Sequence, residues 1–433
     1  MNTASYTLMH KNIPVTDISI EEITGAIVAV YNTQSFEHLP IGVHCTNGII
    51  NQRELSSWWY SRSIPASRLG LQELLYTLNI HSPKALLTKS MGLSLSDQYW
   101  IKPVNSNVKW REINFFDNPF SEDMGNILLG DIHPSASLDL CSPDNTSDGY
   151  LKKRWKIIND KRCLIKSGEL PFYQQPINEK IASIVMERLG ITHVPYSLLW
   201  KKGKPYSVCE DFISSETELV SAQRVMSIKP KANHHNTYTH YITLCKENGI
   251  DKIEHSLDEM IVIDYIIANE DRHFNNFGII RNADTLKWLR AAPIFDSGSS
   301  LGYNKPSSNL YKDMQCKPFK KSHNDQLKLV TSFDWVDFSK LNGIENDISD
   351  ILSDKRITEY IDTTRRNAIV DFVTNRIYQL ENTAKNKSPI TSFFVSKKRR
   401  NDLDCQSQQT DSANALDVAR QNTNPDTDAP GVK

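Results

Sequence analysis

The stretch IIANEDRHFNNFGII, residues 266–280, begins as the interior of an apolar helix and ends as an apolar strand. Between the two lie two acids, an Arg, a His and two Asn, so the densest polar cluster sits at the seam of two core-forming elements. The spacing predicts a helix over residues 257–269 that delivers Asp271. Downstream, FGII and KWLRAAPIF read as two short strands joined by a turn at RNADT, with Asp296 ending the second strand in PIFDSGSSL. Such a hairpin carries Asp296 back towards Asp271 and Asn276, and three oxygen-bearing side chains converge. Hard cations such as Mg²⁺ take carboxylate, amide and phosphate oxygens. A phosphotransfer site supplies few protein ligands beyond an Asp and an Asn, while a separate Asp orients the attacking hydroxyl. Taken alone, Asp271 and Asn276 more often cap a helix or a turn.

The upstream half shifts that balance. RCLIKSG, residues 162–168, reads as a short strand carrying Lys166, which alternation can aim under a loop at nucleotide phosphates. PINEKIASIVMERLGI follows as an amphipathic helix with Ile177, Ile181, Ile184, Val185 and Leu189 on one face, stopped by Gly190. Glu179, near its start, is placed to hold the Lys166 ammonium through a charge-assisted contact. Strand-Lys, helix-Glu, then helix, Asp, Asn, strand and Asp, in that chain order, is the set of parts from which kinases are built.

DRHFNN, residues 271–276, together with IFDSGSS, resembles the D-R-H-x-x-N and D-x-G signatures of phosphatidylinositol kinases. LIKSG, NEKIASIVMERLG, VCEDF, DRHFNNFG and PIFDSGS together are more similar to the HipA-like serine/threonine protein kinases of bacteria, over roughly residues 134–380. The resemblance implies an α+β, bilobal, protein-kinase-like fold with a mainly helical C-lobe, and ATP and Mg²⁺ as cofactors. It implies Asp271 as catalytic Asp, Asn276 and Asp296 as Mg²⁺ ligands, and Lys166 as the lysine on the ATP phosphates with Glu179 as its helix partner. Glu210 and Phe212, in VCEDF, fall at the hinge, where backbone groups meet adenine. The Ser-rich segment 135–154 takes the place of a loop over the phosphates, without a G-x-G-x-x-G pattern, and its Ser or Thr residues are candidates for autophosphorylation. The implied partners are a protein substrate with a Ser or Thr acceptor and an antitoxin-like protein of a toxin–antitoxin pair, with DNA engaged only indirectly.

Composition sets the outer bounds. Fifty basic residues face fifty-one acidic ones, a balance that disfavours a general nucleic-acid coat protein. Seven scattered Cys with no C-x-x-C pair read as reduced thiols of a cytosolic protein. No signal peptide and no span-length apolar run is evident, so the expectation is a cytoplasmic protein without a membrane association. The expected organisation is a partly helical N-terminal extension over residues 1–130, an N-lobe over 131–215, a mainly helical C-lobe over 216–383 and a disordered tail over 384–433. In the extension, Leu69, Leu71, Leu74, Leu75 and Leu78 give a helical face, and SPKALLTK reads as a helix capped by Ser82 with Pro83 first.

Other residues have plainer readings. His273 suits bracing of the loop backbone, and Arg272 suits either pairing with an acid or facing solvent. Trp58, Trp59, Trp100 and Trp110 suit the core. Lys317, Lys320 and Lys321 read as a solvated basic loop, and KKRR, residues 397–400, as a solvated charge run. A phosphatidylinositol-type lipid kinase and a catalytically silent nucleotide-binding pseudokinase are the alternative functions. The first lacks a basic amphipathic helix or lipid anchor, and the second usually loses a Lys or Asp that is present here.

Overall fold

The computed structural model describes residues 2–131, 138–310, 312 and 314–387. Its first three strands, β1 (Thr3–His10), β2 (Ile13–Glu21) and β3 (Ala26–Tyr31), form an antiparallel meander. After a two-stranded ribbon, β4 (Cys45–Thr46) and β5 (Ile49–Ile50), come helices α1 (Gln52–Ser61), α2 (Leu71–Thr77) and α3 (Pro83–Lys89). Strand β6 (Tyr99–Pro103) then joins β1 to complete a sheet of order β3-β2-β1-β6.

The helices of the partly helical extension are present, but they pack on a four-stranded sheet that the expectation lacked. Thr, Val, Ile and Tyr dominate TASYTLMH and IPVTDISIE, which favours strands. Alternation in β2 is blurred by a bulge opposite β3, and the partner strand β6 lies far down the chain. Leu8, Val15, Ile18 and Ile20 pack against Leu55, Trp58 and Trp59 of α1. Full burial of each such side chain contributes about 1.5–3 kcal/mol. All four tryptophans named above are core residues, and Ser82 caps α3 by accepting from the Lys84 N–H, with Pro83 at the first position.

Two short helices, α4 (Trp110–Ile113) and α5 (Asp123–Leu129), lead to a second antiparallel sheet of order β7-β8-β10-β9. Its members are β7 (Lys153–Ile158), β8 (Lys161–Ser167), β9 (Ser197–Lys201) and β10 (Lys204–Glu210), with α6 (Gln175–Leu189) between β8 and β9. Asn159 and Asp160 both adopt left-handed backbone in the two-residue turn joining β7 to β8. That geometry suits Asn and Asp in a tight hairpin, and it sets Lys153 directly opposite Lys166.

The rest of the chain carries β11 (Thr217–Ser221), α7 (Ala222–Met226), α8 (Thr237–Glu247), α9 (Ile253–Ile267), β12 (Gly278–Asn282) and β13 (Trp288–Ala291). Helices α10 (His323–Leu327), α11 (Ile344–Leu352) and α12 (Thr363–Lys387) follow. Strands β11, β12 and β13 make a third antiparallel sheet. Every residue of α9 from Met260 to Ile267 is buried, so the C-terminal half of this helix is enclosed on all sides, and Asp264 is the one charged residue in that half. The expected hairpin after the polar loop is present, but β13 stops at Ala291, short of Asp296. Pro293 lacks the N–H that a continuing ladder requires.

The chain divides into two compact units, Met1–Ile377 and Tyr378–Lys433. Within the second, residues 378–387 are helical, so the expected disorder does not hold at 384–387. The remainder of the expected tail, KKRR included, lies outside the described residues. No helix among the described residues is long and apolar enough to cross a membrane.

Candidate active site

Lys166 occupies the middle of its sheet, on β8 between β7 and β10, and only 6% of it is exposed. Its Nζ donates to Glu179 Oε1 at 2.5 Å and to Asp296 Oδ1 at 2.9 Å. Glu179 lies in the first turns of α6, and its second oxygen accepts from Ser207 Oγ on β10. Burial by itself would lower the Lys166 ammonium, but Asp296 and Glu179 outweigh it and hold the group well above the usual lysine value. Burial likewise acts to raise the Asp296 carboxyl, yet Lys166 and Lys153 prevail and hold it well below the usual range. Glu179 is displaced upward by burial despite the pull of Lys166. The three groups form one charge-paired unit.

The loop after α9 is assembled around Arg272, which is fully buried. Its Nε and Nη2 donate to the two oxygens of Asp264 at 3.0 and 2.9 Å, a forked pair with α9. Nη1 donates to the Asn276 carbonyl at 3.1 Å and to the Phe295 carbonyl, and Nη2 also reaches Ser297 Oγ at 3.1 Å. One guanidinium therefore fixes the Asp271–Asn276 loop to the segment bearing Asp296. This settles the open reading of Arg272 in favour of pairing with an acid. The Asn276 amide donates to the Asp271 carbonyl at 3.3 Å, and His273 Nδ1 accepts from the Asn275 N–H at 3.3 Å.

Asp296 lies beyond the strand in a left-handed backbone conformation (φ 57°), which costs a non-glycine residue about 1 kcal/mol or more. Gly298 lets the following turn approach α6, since a Cβ there would meet the Gln175 carbonyl at 3.2 Å and Glu179 Cγ at 3.4 Å. Asn178 Nδ2 donates to the carbonyls of Gly298 (3.0 Å) and Ser300 (2.6 Å). The helix bearing Glu179 is thus tied to the loop bearing Asp296. Asp271 is half-exposed, and its carboxylate accepts from Lys317 Nζ at 2.7 Å, so Lys317 is ion-paired and not merely solvated.

A cleft of about 620 Å³ opens beside this unit, lined among others by Lys153, Lys166, Asn276, Asp296, Glu210 and Phe212. Phe212 packs on Phe295 with ring centroids 5.3 Å apart, while Glu210 points outward and pairs with Lys161 at 2.7 Å. Between them Asp211 also lines the cleft, with Oδ2 buried and without a hydrogen-bond partner among the described residues. Lys153 was not singled out by sequence. Burial lowers its ammonium to about 8, the nearby Arg68 adds to the fall, and Asp296 opposes it. No carboxylate lies within ion-pairing distance of Lys153 among the described residues. A Cβ on Gly149 would meet Lys153 Nζ at 2.6 Å, so the loop passes directly over this cation.

Residues 135–137 of the expected phosphate loop lie outside the described residues. The described remainder is held by Arg68, another residue sequence reasoning passed over, which donates to the carbonyls of Ser147 and Gly149, both at 2.6 Å.

These residues fit a magnesium nucleotide. Lys153, buried beside Lys166 with no carboxylate at ion-pairing distance among the described residues, suits phosphate, and the orphaned Asp211 oxygen suits an amino group such as that of adenine. Among the described residues no group of three or more His, Cys, Asp or Glu could hold a metal ion alone. Asn276 and Asp296 offer a sparse oxygen set of the kind that Mg²⁺ completes with phosphate oxygens.

A family model described as the HipA-like C-terminal domain matches residues 149–371. The serine/threonine-protein kinase CtkA of Helicobacter pylori is 27% identical over 148 residues, which cover 31% of this chain and 42% of CtkA. The match therefore spans less than half of that curated relative. Among solved structures, the crystal structure of the Helicobacter pylori proinflammatory kinase CtkA aligns at 19% identity and a TM-score of 0.38, covering 53% of this chain and 95% of that one. HipA of Shewanella oneidensis MR-1, solved with HipB and operator DNA, aligns at 12% identity and a TM-score of 0.51, covering 87% of this chain and 97% of that one. The second alignment shows a shared mixed α/β fold. With more than half of its length matched by the family model, the chain belongs to the HipA-like kinase family.

Proposed function

We propose that this protein is an ATP- and Mg²⁺-dependent serine/threonine protein kinase of the HipA-like type. The reading rests on one observation above the others: Lys166 Nζ stands within hydrogen-bond distance of both Glu179 and Asp296 at the wall of one cleft. Residues 131–215 act as the N-lobe and 216–383 as the C-lobe of a bilobal kinase. Lys166 and Lys153 bind the phosphates, with Glu179 fixing Lys166. Asn276 and Asp296 hold Mg²⁺, which when bound neutralises charge on the phosphate oxygens. The backbone at Glu210 and Phe212 and the side chain of Asp211 receive adenine. Asp271 takes the proton of the acceptor hydroxyl as its oxygen bonds to the γ-phosphorus and the bond to ADP breaks. Positioning and charge neutralisation provide most of the rate.

Partners follow from the family. A protein substrate with a Ser or Thr acceptor, and an antitoxin-like protein of the kind solved with HipA of Shewanella oneidensis, are the expected ones, which would make this chain the toxin of a pair. Transfer of label from [γ-³²P]ATP tests the assignment. Asp271→Ala and Asp296→Ala should each reduce labelling to background while both variants unfold cooperatively. Labelling equal to wild type in either folded variant would remove that residue from the mechanism, and phosphoinositide labelling in preference to protein would favour the lipid-kinase alternative.

A further inference from the structure

The cleft does not end at the nucleotide-binding residues. It continues past His273 and Asn275 into a chamber walled by α1 and α7, lined by Trp58, Arg62, Asp97, Gln223 and Arg224. Helix α7 abuts the loop that carries Asp271: the N–H groups of Ala222 and Gln223 donate to the carbonyls of Phe277 (2.9 Å) and Phe274 (3.0 Å). The chamber thus adjoins the loop that carries Asp271, whose own side chain stands outside the cleft's lining and pairs with Lys317.

Its arginines are incompletely paired among the described residues. Arg62 pairs with Asp97 and donates to the Gly92 carbonyl at 2.7 Å, yet its Nε is buried with no partner among the described residues. Only 6% of the Arg62 side chain is exposed. Arg224 has one side-chain hydrogen bond among the described residues, from Nη2 to Ser61 Oγ at 2.5 Å, and no carboxylate within ion-pairing distance. Burial lowers the Arg224 guanidinium below its usual value, and the Arg62 charge lowers it further against a smaller pull from Asp97. Arg62 thus holds Asp97 while Arg224 has no carboxylate at ion-pairing distance among the described residues, inside a partly desolvated wall, an arrangement that costs free energy until an anion completes it.

We propose that Arg62 and Arg224 bind an aspartate or glutamate side chain of the acceptor polypeptide, close in sequence to the phosphorylated Ser or Thr. This rests on the kinase reading and deepens it, making the enzyme selective for acidic acceptor segments. A single carboxylate fits the pair, because guanidinium forks match carboxylate geometry and the indole of Trp58 supplies an apolar flank. A run of nucleic-acid phosphates fits less well, since the two arginines offer a place for one anion and Glu54 and Asp97 in the same chamber oppose further negative charge. The ATP phosphates are accounted for at Lys153 and Lys166.

The test uses the full chain, Mg²⁺, [γ-³²P]ATP and a positional library of Ser/Thr peptides. Wild type should prefer Asp or Glu at one fixed position beside the acceptor by about tenfold. Arg224→Ala should abolish that preference through KM for the acidic peptide without a matching rise in KM for ATP. Arg224→Glu should shift the preference to Lys or Arg, and Arg224→Lys should restore part of the original. A wild type that labels itself but selects no acidic position overturns the proposal, as does the same selection surviving in both Arg224→Ala and Arg224→Glu. Labelling competed by poly(U) RNA but not by the acidic peptide overturns it in favour of RNA. A wild type that labels neither itself nor any peptide overturns the kinase reading, and the proposal falls with it.

Discussion

Arg272 carries more of the candidate site's architecture than either neighbour in the DRH motif. Its forked pair with Asp264 is fully buried, and its remaining donors hold the loops bearing Asn276 and Asp296. Arg272→Ala leaves Asp264 buried without its cation, a loss of about 3–5 kcal/mol. The urea midpoint should fall accordingly, and Arg272→Lys should recover only part because an ammonium cannot form the fork. An unchanged midpoint for the alanine variant would contradict this. Lys153→Met should raise KM for ATP about tenfold with the fold retained, since the substitution removes a buried cation that has no carboxylate partner; an unchanged KM would exclude Lys153 from the phosphate site. The meeting of Lys166, Glu179 and Asp296 was legible because each stands as a polar residue beside an apolar run. Arg272's partner carried a comparable sign, a lone acid inside IVIDYII, that needed a cation to be tolerable there. The part of Lys153 was hidden, because it appears only once the turn at Asn159 and Asp160 sets it across from Lys166.

At the scale of elements, the N-terminal sheet is anchored to the third sheet through Glu218 on β11. Glu218 accepts from His10 Nε2 of β1 at 2.6 Å and from Arg281 of β12, whose Nη2 also reaches Tyr99 Oη of β6 at 3.1 Å. Burial acts to raise the Glu218 carboxyl, but the Arg281 charge and the His10 hydrogen bond outweigh it and bring it to about 2. A carboxyl depressed on folding stabilises the protein fully above its unfolded value of about 4.3. That contribution, about 3 kcal/mol, is lost as the pH falls from there towards 2. Glu218→Gln should destabilise the protein near neutral pH by about 3–5 kcal/mol, because Arg281 is left buried and unpaired. It should also flatten the acid limb of stability against pH, measured by chemical denaturation. An acid limb as steep as wild type would contradict the assignment. The helices α3 and α6 were readable from caps, proline and periodicity, all local signals. The N-terminal sheet was not, because β1 must find β6 across three intervening helices, and pairing at that separation leaves little trace in either strand.

At the scale of the molecule, residues distant in sequence meet at the candidate site. Lys166 and Asp296, 130 residues apart, meet at 2.9 Å, and α6 is bonded to the loop that follows Asp296. Sequence could supply the order of the parts, but not the chamber between α1 and α7, one wall of which lies outside the family-matched region and the other within it. The most direct test is the structure of the full chain with Mg²⁺ and a non-hydrolysable ATP analogue. The account predicts a metal ion held by Asn276 and Asp296, phosphate oxygens on Lys166 and Lys153, and adenine beside residues 210–212. An analogue bound elsewhere, or bound in the cleft with its phosphates away from both lysines, would contradict it.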